Sequence, residues 1–338
     1  MKRLRLLTLC LVLALVAGCG SDDDAGGTAP GGGAATERAT IRLGFSAWPG
    51  WFPWQVAEEK GLFEAAGLDV ELTYFESYTD SLNALNAGRL DANSQTLNDT
   101  ISSLAAGSDQ VVVLTNDNST GNDQVIVGPA IASVADLKGR SVGVEEGTVD
   151  HFLLLLGLAE AGLSSDDVTI QPLATDAAAS AFAAGQLDAV GVFAPFTTKA
   201  LEREGAKALF TSADFPGSIP DHLVLRGEFV EENPEEVQAL VDVWFDTLAF
   251  IAQNAEESVA IMAKRAGVTV EDYAEYDKGT TLFTVADNVA AFAPGATMAS
   301  LDFAARSMAD FLVAAGLIDQ APDLAGLLDA RFVKAADR

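Results

Sequence analysis

Three of the chain's four tryptophans crowd one short loop, where they could hold a small solute. Trp48, Trp51 and Trp54 lie in a run punctuated by Pro and Gly, which begins at Ser46 directly after a β-rich segment that ends at Phe45. Aromatic rings at this density favour a wall that stacks on a ligand or attracts a cation. Packing under the helix that follows is the alternative, and we interpret Trp54 in that way. We therefore predict that Ser46, Trp48 and Trp51 contact a ligand.

Polar loops follow the other predicted strands. In open parallel sheets, ligands bind beyond the carboxyl ends of the strands, and helices that begin there offer free N–H groups. Strand alternation lets only one of Glu145 and Glu146 face inward, and we predict that it is Glu145. Solvated turns and helix caps are the alternative interpretation of these loops. The further predicted ligand contacts are Ser94, Gln95, Thr96, Asn116, Asp117, Glu145, Gly147, Thr148, Phe193, Pro195 and Asp214.

The charge of these loops is negative, and only Lys199 lies nearby as a cation. An oxyanion such as nitrate or a sulfonate would favour Arg, Lys or a bare helix N-terminus. A guanidinium ion pairs with a carboxylate and stacks on tryptophan, and urea offers similar N–H groups. The loops therefore favour a cationic or neutral nitrogen compound. Their acidic residues are Asp99, Asp117, Asp123, Glu145, Glu146, Asp150, Asp214 and Asp221.

Motifs for catalysis are missing from the sequence. It has no Gly-x-Ser-x-Gly elbow, no phosphate-cradling Gly-rich loop and no metal-ligand spacing. We interpret its two histidines, His151 and His222, as helix-start and hinge residues. We therefore predict no catalytic residue, no metal and no cofactor. The net charge of −29 argues against a nucleic-acid partner.

Alternating strand and helix patterns must position these loops, which predicts an α/β fold. Residues 87–92 (AGRLDA) return as residues 184–189 (AGQLDA). The tripeptide AGL at residue 66 returns at residue 161, and the strand glycine Gly44 returns as Gly143. Three matches in the same order predict two α/β lobes of similar design.

The N-terminus resembles an export signal. Lys2, Arg3 and Arg5 precede an apolar run that is too short for a stable membrane anchor. The run ends in Leu-Val-Ala-Gly-Cys at Cys19, which is similar to the bacterial lipobox; a plain secretory signal is the alternative. We predict that residues 1–18 are a signal peptide and that residues 19–39 are a lipidated Cys19 and a flexible tether. The protein would then be extracytoplasmic and anchored to a membrane.

Several segments resemble the nitrate, sulfonate and taurine type of periplasmic binding proteins, and most closely the subgroup associated with urea carboxylase. They are GFSAWPGWFPWQVAEEKGLFEAAGLDVEL, LNAGRLDANSQTLNDT, DLKGRSVGVEEGTVDHFLL and AFAAGQLDAV. The resemblance implies a two-lobed type II periplasmic-binding-protein fold whose lobes close about a hinge. It also implies a monomer that delivers its solute to an ABC permease and ATPase. We expect residues 40–130 with 218–338 to form lobe I, and residues 131–217 to form lobe II.

Three function classes stay open at this point. The first is a binding protein for a guanidinium- or urea-like solute held in an acidic, aromatic cleft between the lobes. The second is a binding protein for a sulfonate, taurine or nitrate. The third is a binding protein or enzyme for a thiamine-pyrimidine precursor. The enzymes of that class use Cys- and His-rich motifs, which this sequence lacks, so we expect no enzymatic activity.

Overall fold

Strands and helices alternate along residues 39–336, the part of the chain that the computed structural model describes. The predicted signal peptide, Cys19 and nearly all of the tether lie outside the described residues. The strands are β1 (Ile41–Ser46), β2 (Val70–Phe75), β3 (Ala92–Thr96), β4 (Gln110–Ser119), β5 (Asp123–Val127), β6 (Ser141–Val144), β7 (Thr169–Pro172), β8 (Ala189–Phe193), β9 (Lys207–Thr211), β10 (Pro220–Arg226) and β11 (Thr280–Leu282).

The helices follow most of these strands directly. They are α1 (Pro53–Glu59), α2 (Leu62–Ala65), α3 (Tyr78–Asn86), α4 (Leu97–Ala105), α5 (Val149–Glu160), α6 (Thr175–Ala183), α7 (Phe196–Leu201), α8 (Gly227–Glu232), α9 (Pro234–Gln253), α10 (Ala255–Ala266), α11 (Val270–Tyr276), α12 (Val285–Ala291), α13 (Leu301–Ala314) and α14 (Arg331–Ala336). Short 3₁₀ turns lie at Val134–Leu137, Ser165–Asp167, Ser212–Asp214 and Asp277–Gly279. Among the described residues, no helix is both long and apolar enough to cross a membrane.

Two separate sheets organise these elements. The first has the order β11-β4-β10-β3-β1-β2 and the second the order β7-β6-β8-β5-β9. Helices α1 to α4 and α8 to α14 belong with the first sheet, and α5 to α7 pack on the second. We call each sheet with its helices the first and the second lobe. The predicted α/β class with two sheet-containing lobes is confirmed.

The chain crosses between the lobes at two places, and the first differs from our expectation. We expected lobe I to extend to residue 130, but β5 pairs antiparallel with β8 and β9 in the second sheet. The chain therefore leaves the first lobe in the short turn between β4 and β5. A polar turn between two apolar strands has the sequence of an ordinary hairpin, so the pattern alone did not indicate a crossing. The second crossing lies between β9 and β10.

The internal repeat corresponds to the same packing in both lobes. Asp91 accepts a hydrogen bond of 3.1 Å from the backbone N–H of Arg42, at the start of β1. Asp188 accepts the equivalent bond of 3.0 Å from the N–H of Ser141, at the start of β6. Each Asp thus joins the third strand of its repeat to the first, because it accepts a hydrogen bond from a backbone N–H at the start of that first strand.

The repeated strand glycines are required by close packing. A Cβ atom on Gly44 would lie 2.4 Å from Cδ1 of Leu90, and one on Gly143 would lie 2.6 Å from Cδ1 of Leu187. Both leucines belong to the repeated hexapeptide, so glycine and leucine form one packing unit that occurs twice. Any larger residue at either glycine would overpack its lobe.

Candidate functional site

A small cavity, partly open and with only about 10 Å³ accessible to water, lies where the two lobes meet. The loops after β1, β2 and β3 and the start of β10 contribute from the first lobe, while β5, β8 and the start of α5 contribute from the second. This is the position expected for a ligand site in open α/β sheets. The lining residues are Trp48, Trp51, Tyr78, Thr96, Asp123, Val149, Phe193 and Asp221.

Four aromatic rings form one wall of the cavity. Trp48 lies 6.4 Å from Trp51 and 6.3 Å from Phe193, and Tyr78 lies 5.4 Å from Trp51 and 6.3 Å from Phe193, measured between ring centroids. The rings meet at tilted or edge-on angles, the arrangement that aromatic quadrupoles favour. Because Phe193 belongs to the second lobe and the other three to the first, the wall spans both lobes.

Carboxyl groups lie in and next to the lining of the cavity. Asp123 and Asp221 line the cavity, and Asp117 lies directly behind, where it accepts a 2.9 Å hydrogen bond from Nε1 of Trp48. All three side chains are buried. Burial raises the pKa of Asp117 to about 8 and that of Asp123 to about 7. Burial, with the neighbouring Asp117 and Asp123, also raises the pKa of Asp221 well above its usual value.

Asp117 and Asp221 face each other across neighbouring antiparallel strands and lie within hydrogen-bonding reach. Two carboxylates repel at this range, so the pair is stable when it shares a proton. Oδ2 of Asp123 has no N–H or O–H donor from the described residues, and Oδ2 of Asp117 and Oδ2 of Asp221 have none besides the proton that the two acids would share. Buried oxygens without donors carry a large desolvation cost, which a ligand with N–H groups would remove.

Two more buried acids stand close to this group. Asp99 accepts a 2.7 Å hydrogen bond from the hydroxyl of Thr96, and burial raises the pKa of Asp99 to about 7. Asp150, in the first turn of α5, has its pKa raised well above the usual value, first by burial and then by the charge of Glu145. Oδ1 of Asp150 is buried without a donor.

Positive charge is missing from the described lining of the cavity, which includes no Lys and no Arg. His222 is buried in β10 beside Thr115, and burial lowers its pKa to about 3, so the ring is neutral near pH 7. No group of His, Cys, Asp and Glu side chains within residues 39–336 has an arrangement that would hold a metal ion. The site is an acidic and aromatic chamber that can accept hydrogen bonds from a cation.

Several predicted contacts lie together at this site. Trp48, Trp51, Thr96 and Phe193 line the cavity, and Asp117 lies directly behind it. Nε1 of Trp51 has no partner among the described residues. Trp54, in contrast, is fully buried, stacks on Phe63, packs at a tilted angle against Trp244, and donates to Ser94.

Other predicted contacts lie close to the cavity without lining it. Ser46 and Glu145 line a smaller space that shares Tyr78 and Phe193 with the cavity. Thr148 precedes α5, and its hydroxyl donates to the backbone oxygen of Glu145. Asn116 is buried, and neither polar atom of its side chain has a partner among the described residues.

Two predicted contacts are engaged by other groups of the protein. Ser94 accepts the indole N–H of Trp54. The amide of Gln95 donates to Thr100 and Gln110. Strand alternation places Gln95 on the face of β3 opposite to Thr96, whereas Ser94 shares the face of Thr96 but is covered by Trp54.

Three residues in turns also lie away from the cavity. Asp214 is exposed and accepts the backbone N–H of Thr211, so it caps a 3₁₀ turn. Gly147 is exposed and takes a left-handed conformation with φ of 85°. The carbonyl of Pro195 accepts from the hydroxyl of Tyr276. These contacts are those of turn and connection residues.

Four lining residues were absent from the predicted contacts: Tyr78, Asp123, Val149 and Asp221. Tyr78 begins the helix that follows β2, so the strand-end rule could have found it. Asp123 and Asp221 were noted for their charge, but their registers in β5 and β10 depend on pairings that only the fold reveals.

Comparison with known proteins agrees with this architecture. A binding protein of Brucella abortus is 35% identical over 237 residues, covering 68% of this chain and 73% of the relative. A Bacillus subtilis protein named for aliphatic sulfonates binding is 28% identical and covers 98% of this chain and 96% of its own.

Solved structures show the same fold. The alkanesulfonate-binding protein of Xanthomonas axonopodis pv. citri, bound to MOPS, aligns with a TM-score of 0.75 and 22% identity over 88% of this chain and all of that one. The model of the NMT1-like family matches residues 34–267. The described residues form two sheet-containing lobes with a cavity between them, and the family model matches most of the chain. The protein therefore belongs to the NMT1-like family.

Proposed function

We propose that the protein is the solute-binding component of an ABC-type importer and that its solute is a compact, nitrogen-rich molecule, guanidinium or urea-like. The observation that carries the proposal is the cavity between the lobes, which is lined by aromatic rings and by the buried Asp123 and Asp221, with the buried Asp117 behind Trp48. A planar guanidinium can stack on indole rings while its N–H groups reach the oxygens that lack donors. The resemblance to the subgroup associated with urea carboxylase supports the same class of solute.

Urea fits the same groups less strongly. It offers N–H donors to the carboxylates, and its carbonyl can accept the proton that Asp117 and Asp221 share. It brings no positive charge, however, so it cannot offset the ionisation of buried carboxyls. We therefore expect guanidinium to bind more tightly than urea.

A sulfonate is the second candidate, because relatives from Bacillus subtilis and Escherichia coli are named for aliphatic sulfonates or taurine. Taurine also carries an ammonium group that could pair with a carboxylate. Its sulfonate would face Asp123 and Asp221 with no Arg or Lys in the described lining, which is unfavourable for an anion. The named relatives therefore favour the sulfonate, whereas the acidic lining of this chain favours the cation, which is the solute class that we propose.

A binding role rather than catalysis completes the proposal. The relatives compared above are named as binding proteins. A desulfurization enzyme shares the fold at a TM-score of 0.60 and 18% identity, a likeness that concerns the fold alone. We propose that the protein works outside the cytoplasmic membrane as a monomer and delivers its solute to a permease with an ATPase.

A thermal-shift screen of the mature protein tests the solute class. The panel is guanidinium at millimolar concentration, urea, taurine, nitrate and a pyrimidine. A solute that binds only the native state adds about 2.7 kcal/mol at a hundredfold excess over Kd. We expect guanidinium to raise the Tm by roughly 5 °C and nitrate to leave it unchanged. A rise with taurine or nitrate alone would support the sulfonate alternative.

Lipid anchoring at Cys19 is tested separately, by fractionation of the expressing cells. We expect the wild-type protein to sediment with membranes. Cys19→Ala should release the protein or block its processing, because the thiol that would accept the lipid is lost. The affinity for solute should be unchanged. Unaltered membrane retention of the variant would contradict lipidation at Cys19.

A further inference from the structure

Beside the cavity, Glu145 joins the two lobes directly. It follows β6 in the second lobe, and its Oε1 accepts a 3.0 Å hydrogen bond from the backbone N–H of Thr79 and a second bond from the Thr79 hydroxyl. Thr79 lies in the first turn of α3, in the first lobe. The Glu145 side chain is buried, and its neighbour Glu146 is exposed. A carboxylate at the start of a helix is also stabilised by the helix dipole.

The other oxygen of Glu145 is engaged within the second lobe. The Thr175 hydroxyl lies 2.8 Å from Oε2 of Glu145 and 2.8 Å from Oδ2 of Asp150. A hydroxyl has one proton, so it donates to one carboxyl group and must accept from the other. Oε1 of Glu145 already accepts two hydrogen bonds from Thr79. Asp150 is fully buried, and burial raises its pKa well above the usual value. Asp150 is therefore the protonated acid that donates to Thr175.

These bonds form a directed chain from one lobe to the other. Asp150 donates to Thr175, Thr175 donates to Glu145, and Glu145 accepts from Thr79 across the lobe boundary. Both oxygens of Glu145 thus have partners in the protein. Glu145 does not line the solute cavity but a smaller space beside it, which shares Tyr78 and Phe193 with the cavity.

We infer that Glu145 is a positioning residue that holds the two lobes closed over the solute without contacting it. This inference changes the role that the sequence predicted for Glu145, which was a ligand contact. It rests on the proposed solute-binding function, because it requires lobes that open and close, but it does not depend on the chemical class of the solute.

The test compares Glu145→Gln with Glu146→Gln, a matched change at the adjacent exposed position. Amide hydrogen exchange is followed over residues 76–82 with and without solute, and dissociation rates are measured for each solute of the panel that binds. We expect Glu145→Gln to speed exchange at Thr79 and to raise every dissociation rate by the same factor, about 10-fold, the low end of the range for a charge-assisted hydrogen bond. Glu146→Gln should match the wild type in both measurements.

Substitutions at Thr79 provide a second check across the boundary. Thr79→Ser keeps both donors and should behave as the wild type, whereas Thr79→Val loses the hydroxyl and should show part of the effect. Combined with Glu145→Gln, Thr79→Val should add little, because both changes break one interaction.

Three outcomes separate this inference from the proposed function. If Glu145→Gln weakens guanidinium alone and leaves exchange over residues 76–82 unchanged, Glu145 is a ligand contact and the inference is overturned. Unchanged exchange and unchanged dissociation rates also overturn it. If no nitrogen-rich solute binds but Glu145→Gln still speeds exchange at Thr79, the solute class is wrong and the closing role of Glu145 is supported.

Discussion

Replacing Asp221 by Asn should weaken guanidinium binding by about 10- to 150-fold, the range expected when a buried charge-assisted hydrogen bond is lost. The amide keeps the shape of the side chain but cannot carry the negative charge that the cation requires. The same change should raise the Tm of the empty protein, because Asp221 faces Asp117 in a buried setting where two carboxyls are unfavourable. Calorimetric titration and thermal unfolding measure the two effects.

Asp214→Asn is the matched control, because Asp214 is an exposed capping residue in the nearby turn. It should leave guanidinium affinity unchanged. If Asp221→Asn keeps the parent's affinity for guanidinium, or if it creates no stability gain in the empty protein, the assignment of Asp221 to a cation site is wrong. Tighter binding of taurine by the same variant would favour a sulfonate solute.

The stability of the empty protein should fall as the pH rises from about 5 to about 8. The pKa of Asp117 is raised to about 8 and those of Asp99 and Asp123 to about 7, so the folded state holds protons that the unfolded state has already released. Where the native state binds more protons, stability decreases with pH. One pKa unit corresponds to about 1.4 kcal/mol, so we expect a loss of about 3 kcal/mol or more.

Two comparisons check the origin of this pH dependence by chemical denaturation at each pH. The double variant Asp117→Asn with Asp221→Asn should flatten the profile, since two of the groups that take up protons are gone. Saturating guanidinium should flatten it in the wild type, because a bound cation stabilises the ionised carboxyls. A wild-type profile that rises between these pH values would contradict raised pKa values in the cavity.

The fold was largely predictable because it depends on local patterns that occur twice. The repeat of residues 87–92 at residues 184–189 corresponds to Asp91 and Asp188 at equivalent strand junctions. The strand glycines Gly44 and Gly143 could be recognised in the sequence because they also recur in the repeat. In the structure each packs so closely against a leucine that no side chain would fit. The crossing before β5 was not predictable, because a short polar turn has the same composition whether its strands pair or separate.

The site was predictable only where one loop supplies several residues. Trp48 and Trp51 stand out by their density, and both line the cavity. Asp221 and Asp214 lie in one acidic stretch, and their different roles depend on the pairing of β10 with β4. The roles of Ser94 and Gln95 were not predictable either, because composition does not reveal which neighbour a buried hydroxyl or amide will bond.

The lining of the cavity is the feature from which we propose the solute class. Relatives named for aliphatic sulfonates are 28% and 30% identical to this chain, and the described lining here has Asp123 and Asp221 and no Arg or Lys. Because specificity depends on a few groups placed on a scaffold, the family's fold alone does not determine the solute.

Isothermal titration calorimetry of the mature protein tests the cation site most directly, with guanidinium chloride and taurine as titrants and sodium chloride as the blank. We predict that guanidinium binds at one site per chain and that protons are released on binding, seen as a heat that varies with the ionisation enthalpy of the buffer. Taurine should bind far more weakly or give no heat. Tight binding of taurine together with no measurable heat from guanidinium would contradict the account.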